Sequence, residues 1–367
     1  MAAQPLCLSA QVVHETLDQV QDAFDHVNSA GSFLVKLIDA FDDIDTTYVE
    51  RNRYNFTLMT QATSNFEFYR LSSSGYRISL AQHPDFRFGP YFGWRWLFFG
   101  WTFDVGNIGR RHSQSTRFEL SIYTSMFGID LIHRRTGSDF YLQRITGMGD
   151  EAKRYEGSDC GDYLKASVSG LNLYYVFNHR RFSNPAVYSQ STIQRRSAGS
   201  WLLGACVTSH DIRCDYSELP RDLFAQTPVD HRFAALERVK YLDVSLSGGY
   251  AYNWVPARHW CLGIAASPAI GYKRTSTETV IWKDEENGER YDSRLMNKID
   301  EIFRRKGDIN VNATGRLGVI HNNGRWFVGL FAVGHLFNYK AEGLRFTNAF
   351  GTINLCGGFY FQEKKQK

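Results

Sequence analysis

The sequence has no unbroken apolar stretch of about twenty residues, the length that a membrane-spanning helix needs. Its first ten residues, MAAQPLCLSA, also lack the basic and apolar regions of a secretory signal. Either a signal peptide has been removed or the protein is not exported. The first absence excludes a protein that crosses a membrane with helices, but it leaves open one that crosses with β-strands.

Cysteine and proline are scarce, with 6 and 8 residues among 367, and the cysteines show neither a C-x-x-C pair nor a metal-ligand spacing. The chain also lacks a nucleophile elbow, an H-E-x-x-H motif and a phosphate-binding glycine loop. Charges of both signs are interleaved around a net charge of +4. Residues that could supply a hydrolase site without such motifs are His179, Ser200, Ser209, His210 and Asp211. We therefore predict no enzyme, no cofactor, no metal and no nucleic-acid partner.

Aromatic residues are abundant, with 27 Phe, 20 Tyr and 8 Trp. The densest stretch is GPYFGWRWLFFGWTFDVG at residues 89–106, which contains only two charged side chains. We interpret it as two neighbouring strands joined near Arg95. Trp94, Trp96 and Trp101 are then candidates for a lipid-facing surface and its boundary.

Residues 10–44 differ from the rest of the chain, because apolar residues recur there at three- to four-residue steps on both sides of Gly31. The opposite face carries Asp18, Asp22, Asp25 and Asp39. A membrane-surface helix would carry lysines at such positions. We predict a periplasmic helical segment over residues 1–44 that packs as a hairpin or cap, a barrel over residues 45–362 and a basic tail over residues 363–367.

From about residue 48 onward, bulky apolar residues alternate with polar or small ones, as in a strand with one apolar face. The clearest runs are YLDVSLSGGYAYNW, WCLGIAASPAIGYK and DINVNATGRLGVI. They extend over about twelve to sixteen residues, whereas a tilted strand needs roughly ten to cross the hydrocarbon and a strand of a soluble sandwich usually has about five or six. The pattern predicts an all-β fold, a transmembrane antiparallel up-and-down barrel whose bulky face contacts lipid.

The spacing of turns predicts the number of strands, because outer-membrane barrels alternate tight turns with longer loops. Tight links are expected at HNNG, VPAR and SMFG, and short hairpins at QATS and SSSG. Long links are expected at residues 136–165, 215–238, 275–306 and 341–350. This gives about fourteen strands, with twelve as the alternative and both chain ends in the periplasm. Tyr252, Trp254 and Trp260 lie at strand ends and complete the predicted aromatic girdle.

One link breaks this alternation: residues 180–198 should form a short turn, yet they span about nineteen positions. The stretch contains Tyr188, and four arginines bracket it: Arg180, Arg181, Arg195 and Arg196. We predict that it folds into the lumen or onto the mouth of the barrel, where it gates, plugs or docks a partner. An ordinary long loop with solvated arginines is the alternative.

Strand parity predicts seven inward-facing charged residues: Arg117, Glu119, Asp130, Arg134, Asp243, Asp308 and Arg316. Such charges either line an aqueous path or pair across a closed interior, and we favour pairing. A barrel of about fourteen strands is also wide enough to leave room for a channel.

Three stretches carry a resemblance to a known family: YVERNRYNFTLM, GPYFGWRWLFFGWTFD and GLNLYYVFNHRRFSNPAVYSQSTIQRRSAGSW. Over roughly residues 45–362 the chain resembles a family of Bacteroidota outer-membrane proteins catalogued only as a domain of unknown function. The resemblance implies an outer-membrane barrel and no activity, so no functional residue is carried over. We expect a channel or transport barrel for small solutes, or alternatively a structural or accessory subunit of a larger outer-membrane assembly or export complex. The expected partners are outer-membrane lipids and other outer-membrane or periplasmic proteins.

Overall fold

The computed structural model describes residues 44–73, 76–94, 97–100, 103–105, 116–137, 139–161, 163–214, 238–278, 308–341 and 344–363. The predicted N-terminal helical segment lies outside these ranges, and the predicted domain division stays a prediction. No helix within the described ranges has both the length and the apolar character to span a membrane.

Antiparallel strands make up most of the described chain, together with a short α-helix, α1 (Pro185–Tyr188), and a 3-10 helix (Glu151–Tyr155). The strands are β1 (Val49–Arg51), β2 (Tyr54–Ser73), β3 (Tyr76–Gln82), β4 (Asp85–Trp94), β5 (Leu97–Gly100), β6 (Phe103–Asp104), β7 (Thr116–Tyr123), β8 (Phe127–Arg135), β9 (Phe140–Thr146), β10 (Leu164–Val176), β11 (Thr192–Gln194), β12 (Ala198–Cys214), β13 (Arg238–Trp254), β14 (Trp260–Glu278), β15 (Asp308–Asn322), β16 (Trp326–Ala341) and β17 (Leu344–Glu363).

Fifteen of the strands in the described part of the chain belong to one sheet. Twelve of them form a continuous hydrogen-bonded path in the order β5-β4-β2-β17-β16-β15-β14-β13-β12-β10-β8-β7. Neighbours along the path are mostly consecutive in the chain and antiparallel, the up-and-down arrangement of membrane barrels. The predicted all-β antiparallel architecture is therefore confirmed, and the predicted fourteen strands lie between the twelve of this path and the fifteen of the whole sheet.

The sheet curls until distant strands meet. Arg134 on β8 donates a hydrogen bond from Nη2 to Oδ1 of Asn65 on β2 at 3.1 Å, although eight steps of the path separate these strands. At one end β3 extends this closure, because it pairs with β2 along one edge and with β9 along the other. The result is a barrel with a defined interior.

The outer face of the barrel is apolar and the inner face is largely polar. On β13, Leu242, Val244 and Leu246 are exposed, whereas Asp243 and Ser245 between them are buried. The same alternation exposes Trp260, Ile264, Ile270, Tyr272, Ile309, Val311 and Leu317 on β14 and β15. Soluble monomers rarely expose so continuous an apolar surface, whereas a transmembrane barrel buries it in lipid. The protein has the architecture of an outer-membrane β-barrel.

Two predicted links are wrong. No hairpin forms at QATS, because β2 continues through residues 61–64, where Gln61 and Thr63 bond to each other at 3.0 Å. No long link follows β16. This strand ends at Ala341, and β17 begins at Leu344, which pairs with Ala341. In a barrel with a polar interior, polar residues at alternate positions belong to a strand and do not mark a turn.

The two ends of the barrel differ in their links. We call the end that carries residues 124–126, 177–197, 255–259 and 323–325 the turn end, and the opposite end the loop end. At the loop end, β3, β9 and the 3-10 helix pack an apolar core against the barrel wall. Its buried members include Leu71, Ile78, Leu80, Phe140, Leu142, Tyr163 and Tyr241. This core, which we call the loop-end core, fills the interior there.

Candidate functional site in the barrel interior

Part of the long link lies inside the barrel at the turn end. Every residue from Phe182 to Tyr188 is buried, and so is Gln190. The helix α1 begins at Pro185. Proline is well suited to the first position of a helix, because the backbone N–H groups there have no partner within the helix. We call residues 182–190 the plug. Of the two predictions for this link, this placement corresponds to insertion into the lumen.

Polar side chains of the wall satisfy the backbone of the plug. Asn253 on β13 donates from Nδ2 to the carbonyl oxygen of Ser183 at 2.8 Å. On the opposite side, the hydroxyl of Tyr360 on β17 donates to the carbonyl oxygen of Gln190 at 2.8 Å and accepts from Asn322 at 2.9 Å. Because buried carbonyl groups without a partner are costly, these bonds hold the plug in one position.

Two wall glycines make room for the plug. A Cβ at Gly318 would lie 2.4 Å from Cγ1 of Val187, and a Cβ at Gly263 would lie 2.9 Å from its Cγ2. Separations below about 3 Å are not tolerated without movement, so these positions require residues without a side chain. The wall is therefore shaped to the plug.

The segment that leads into the barrel is attached to the link. β1 pairs with β11, and Gln194 of β11 donates from Nε2 to the carbonyl oxygens of Arg181 at 2.6 Å and Arg196 at 2.9 Å. The Oε1 of Gln194 accepts from the backbone N–H of Ser183 at 3.0 Å and from Asn253 at 3.1 Å. One amide side chain thus connects the plug, its flanks and the wall.

The four arginines of the link lie apart from Tyr188, on the exposed outer side of the plug. Arg195 forms an ion pair with Glu50 of β1, and the Arg181 guanidinium lies 3.8 Å from the carboxylate of Asp45. Hydrogen bonds from Thr47 lower the pKa of Asp45, and the nearby arginines lower it further. The arginines therefore belong to the surface of the turn end, whereas Tyr188 contacts the interior.

A buried ion pair crosses the interior above the plug. Arg316 on β15 donates to Oδ2 of Asp130 on β8, and both side chains are almost fully buried. Asp130 also accepts from Ser121 at 2.8 Å and from Asn172 at 3.0 Å. The carboxylate is therefore fully hydrogen-bonded, and the Arg316 guanidinium stacks 5.0 Å from the ring centre of Tyr174.

Two further charged residues of the predicted set also lie inside. Arg134 bonds to Asn65 and stacks on Phe350, with its guanidinium 4.6 Å from the ring centre. Asp243 accepts from Asn310 at 2.8 Å and from Asn312 at 3.1 Å. The side chains of Arg117, Glu119 and Asp308 lie outside the described part of the structure.

A cavity of about 390 Å³ lies in the interior next to the plug. It extends from Tyr188 and Gln190 of the plug to Asn65 and His335 on the wall. Its lining comes from β2, β4, β7, β8, β16 and β17 as well as from the plug. Volumes of about 300 to 1,000 Å³ are typical of small-molecule sites.

Residues 43–361 match the model of a family described as a domain of unknown function, DUF4421. The chain belongs to this family. No curated protein matches the sequence significantly.

Solved structures of other outer-membrane proteins resemble this member of the DUF4421 family at low similarity. The outer membrane protease OmpT from Escherichia coli aligns with a TM-score of 0.33 and 7% identity, over 85% of this chain and 98% of that chain. The translocator domain of the autotransporter NalP from Neisseria meningitidis gives 0.27 and 9%, over 93% and 98%. The toluene transporter TodX from P. putida gives 0.23 and 8%, over 84% and 91%. These similarities assign no activity to the DUF4421 chain.

The aromatic residues predicted for the girdle are described only in part. Tyr252, Trp254 and Trp260 are exposed on the outer face near the turn end, where Trp326 joins them. β4 and β5 form the predicted neighbouring strands, and Trp94 pairs with Leu97 where the two strands join. The side chain of Trp94 and the residues Trp96 and Trp101 lie outside the described part of the chain.

The structure separates the residues that could have formed a hydrolase site. His210 faces the interior and stacks on Tyr241 at 4.3 Å between ring centres, whereas Ser209 beside it is exposed. Asp211 binds Arg238 at 2.6 Å, and Ser200 lies eleven residues before Asp211 along β12. His179 lies in the link beyond β10. Among the described residues, no group of three His, Cys, Asp or Glu side chains is placed to hold a metal ion.

The prediction from sequence missed the neutral polar residues of the interior. Gln61 and Asn354 line the cavity, and Gln194 and Asn253 hold the plug. Two signals in the sequence could have identified them. Gln61, Asn253 and Asn354 alternate with outward apolar residues in long strands, and Gln194 lies in the unusually long link.

Proposed function

We propose that the protein is an outer-membrane barrel that is closed at rest and serves as a structural or accessory subunit of a larger outer-membrane assembly. The observation that supports this proposal is that the chain fills both ends of its own interior. The plug occupies the turn end and the loop-end core occupies the other. A path for solutes would require both to move.

The turn end offers a surface for such a partner. Arg53, Arg181 and Arg195 expose 75%, 58% and 45% of their side chains there, on and beside the β1–β11 pair that is fixed by Gln194. We assign this end to the periplasm, because the short turns of outer-membrane barrels face that side. The described ends of the barrel chain, near Ile44 and Glu363, then lie on the side where periplasmic proteins are available, while lipids surround the apolar outer face.

A gated channel for small solutes is the second candidate, and the cavity beside the plug favours it. In this case the plug is the gate, and its withdrawal would connect the cavity to the turn end. The arrangement of charges does not distinguish the two functions, because the pair of Arg316 with Asp130 can border an aqueous path or hold a closed interior together.

Planar-bilayer conductance distinguishes the two candidates. The wild-type protein is compared with a variant in which residues 184–190 are replaced by a glycine–serine linker of equal length. The subunit proposal predicts that both proteins are silent, because the loop-end core remains in the variant. It also predicts stoichiometric co-purification of a partner from native outer membranes. A reproducible open pore in the wild type would refute the proposal, and conductance in the variant alone would favour the gated channel.

A further inference from the structure

One wall of the cavity presents unused hydrogen-bonding groups. Gln61 on β2 donates from Nε2 to Thr63 at 3.0 Å and to Oδ1 of Asn354 on β17 at 2.8 Å. Thr63 also donates to Oδ1 of Asn354, at 2.7 Å. These bonds occupy the acceptor of Asn354 and the donors of Gln61. Within the described part of the chain, no group bonds to Nδ2 of Asn354 or to Oε1 of Gln61.

The unused groups face the cavity. Asn354 is only 8% exposed, and it lines the cavity. The side chain thus presents two N–H donors to the cavity, next to the acceptor of Gln61, and a ligand or water is required to satisfy them.

Several aromatic rings also line the cavity. Tyr188 of the plug lies between Tyr123 and Phe331, with ring centres separated by 6.2 Å and 6.4 Å, and Tyr91 lines the same cavity. A site with amide groups on one wall and rings on the others fits a molecule that carries both apolar C–H faces and hydroxyl edges.

Arg87 and Asp130 both line the cavity, and each has an oppositely charged group within 4 Å. Asp130 accepts a hydrogen bond from Arg316, whereas Nε of Arg87 lies 3.6 Å from the carboxylate of Asp85 and makes no hydrogen bond to any described residue. A charged ligand would lose its hydration without gaining an opposite charge, and transfer of an uncompensated ion from water is unfavourable. The site therefore favours an uncharged ligand over an anion or a cation.

We propose that this cavity binds a small neutral saccharide. The amide groups of Asn354 and Gln61 bind its hydroxyl groups, and the rings of Tyr188 and its neighbours contact its C–H faces. This role goes beyond the proposed subunit function and does not require an open pore.

The test measures binding of D-glucose, D-galactose and maltose to the full chain, with glucose 6-phosphate and glucosamine as charged comparators. The protein is folded from urea into lipid vesicles in the presence of each probe, so that entry does not limit binding. The urea midpoint of folding, measured at increasing concentrations of each probe, then gives the affinities by linkage. We expect at least one neutral sugar to bind at least tenfold more tightly than either charged comparator. Absence of binding by all three neutral sugars, or equal affinity for the charged probes, would overturn the proposal.

Matched variants locate the site. Val333→Phe fills the cavity from β16, whereas Val328→Phe makes the same change on the outer face of that strand. We expect at least tenfold weaker binding for the first and unchanged binding for the second. Asn354→Asp keeps the acceptor and the volume but removes the donors, so it provides the test if Val333→Phe does not fold. Equal binding by the wild type and Asn354→Asp, or by the two valine variants, would contradict the proposal.

Discussion

Arg316 and Asp130 form an ion pair across the barrel interior while remaining only 4% and 6% exposed. The two residues lie on β15 and β8, five steps apart along the sheet, so the pair connects walls that the backbone hydrogen bonds do not join directly. Burial of two charges is expensive, and their attraction offsets this cost only while both are present. The pair therefore fixes the shape of the interior more than it adds to stability.

Removal of one member of the Arg316–Asp130 pair should lower the free energy of unfolding much more than removal of both members. Arg316→Met leaves the Asp130 carboxylate buried without its cation and is expected to lower the free energy of unfolding by about 3 to 5 kcal/mol. The double variant Arg316→Met/Asp130→Leu should recover a large part of this loss. Urea unfolding in lipid vesicles measures both. Equal losses of stability in the single and double variants would show that the unpaired Asp130 carboxylate is not the cause of the loss in Arg316→Met.

The fit between the wall and the plug can be tested at a glycine. Gly318→Ala places a methyl group against Val187 and should cost about 1 to 3 kcal/mol through overpacking. Val187→Ala in the same chain should restore most of the stability. Gly315→Ala is the matched control, because a Cβ there meets no atom within 4 Å. Unfolding midpoints of the variants provide the measurement, and an equal loss at both glycines would contradict the fit.

Gln194 should control the exposure of the plug. Gln194→Leu keeps the size of the side chain but removes its bonds to Arg181, Arg196 and Ser183. Since these bonds hold the plug to its flanks, amide hydrogen exchange in residues 182–190 should become at least tenfold faster. Exchange in β9 at the loop end should not change. If both regions change together, the substitution has destabilised the whole barrel and the proposed local role is wrong.

Cys160 should resist alkylation and make stability sensitive to high pH. It belongs to the loop-end core, and burial raises the pKa of its thiol from 9.0 to about 12. Because the unfolded thiol ionises first, this contribution to stability is complete below about pH 9 and is lost as the pH rises toward 12. Iodoacetamide at pH 8 should modify this thiol only after unfolding. Cys160→Ala should flatten the stability profile over this pH window, and an unchanged profile would contradict the assignment.

The sequence predicted the features that repeat along single strands. The period of two in YLDVSLSGGYAYNW identified β13 and both of its faces, and the same parity predicted inward positions for Asp130, Arg134, Asp243 and Arg316. The link that contains the plug stood out because residues 180–198 are too many for a short turn. Each of these signals is local, so no knowledge of neighbouring strands was needed.

Features that depend on distant residues were not predictable in this way. β2 continues through QATS because its polar residues bond to Asn354, 293 positions further along the chain from Gln61. The pairing of β3 with β9 and the hydrogen bond between Gln190 and Tyr360 also depend on residues that lie far apart in the chain. The turn at QATS and the long link after β16 were predicted from composition, which does not reveal such partners.

The hydrogen bond between Tyr360 and Gln190 has a consequence for how the barrel is built. Tyr360 belongs to the last strand, β17, which pairs with the first long strand, β2. The bond spans 170 positions, so it forms only after most of the chain is available. We expect the plug to gain this anchor only when β17 pairs with β2, so that the plug is fully attached only in the complete sheet.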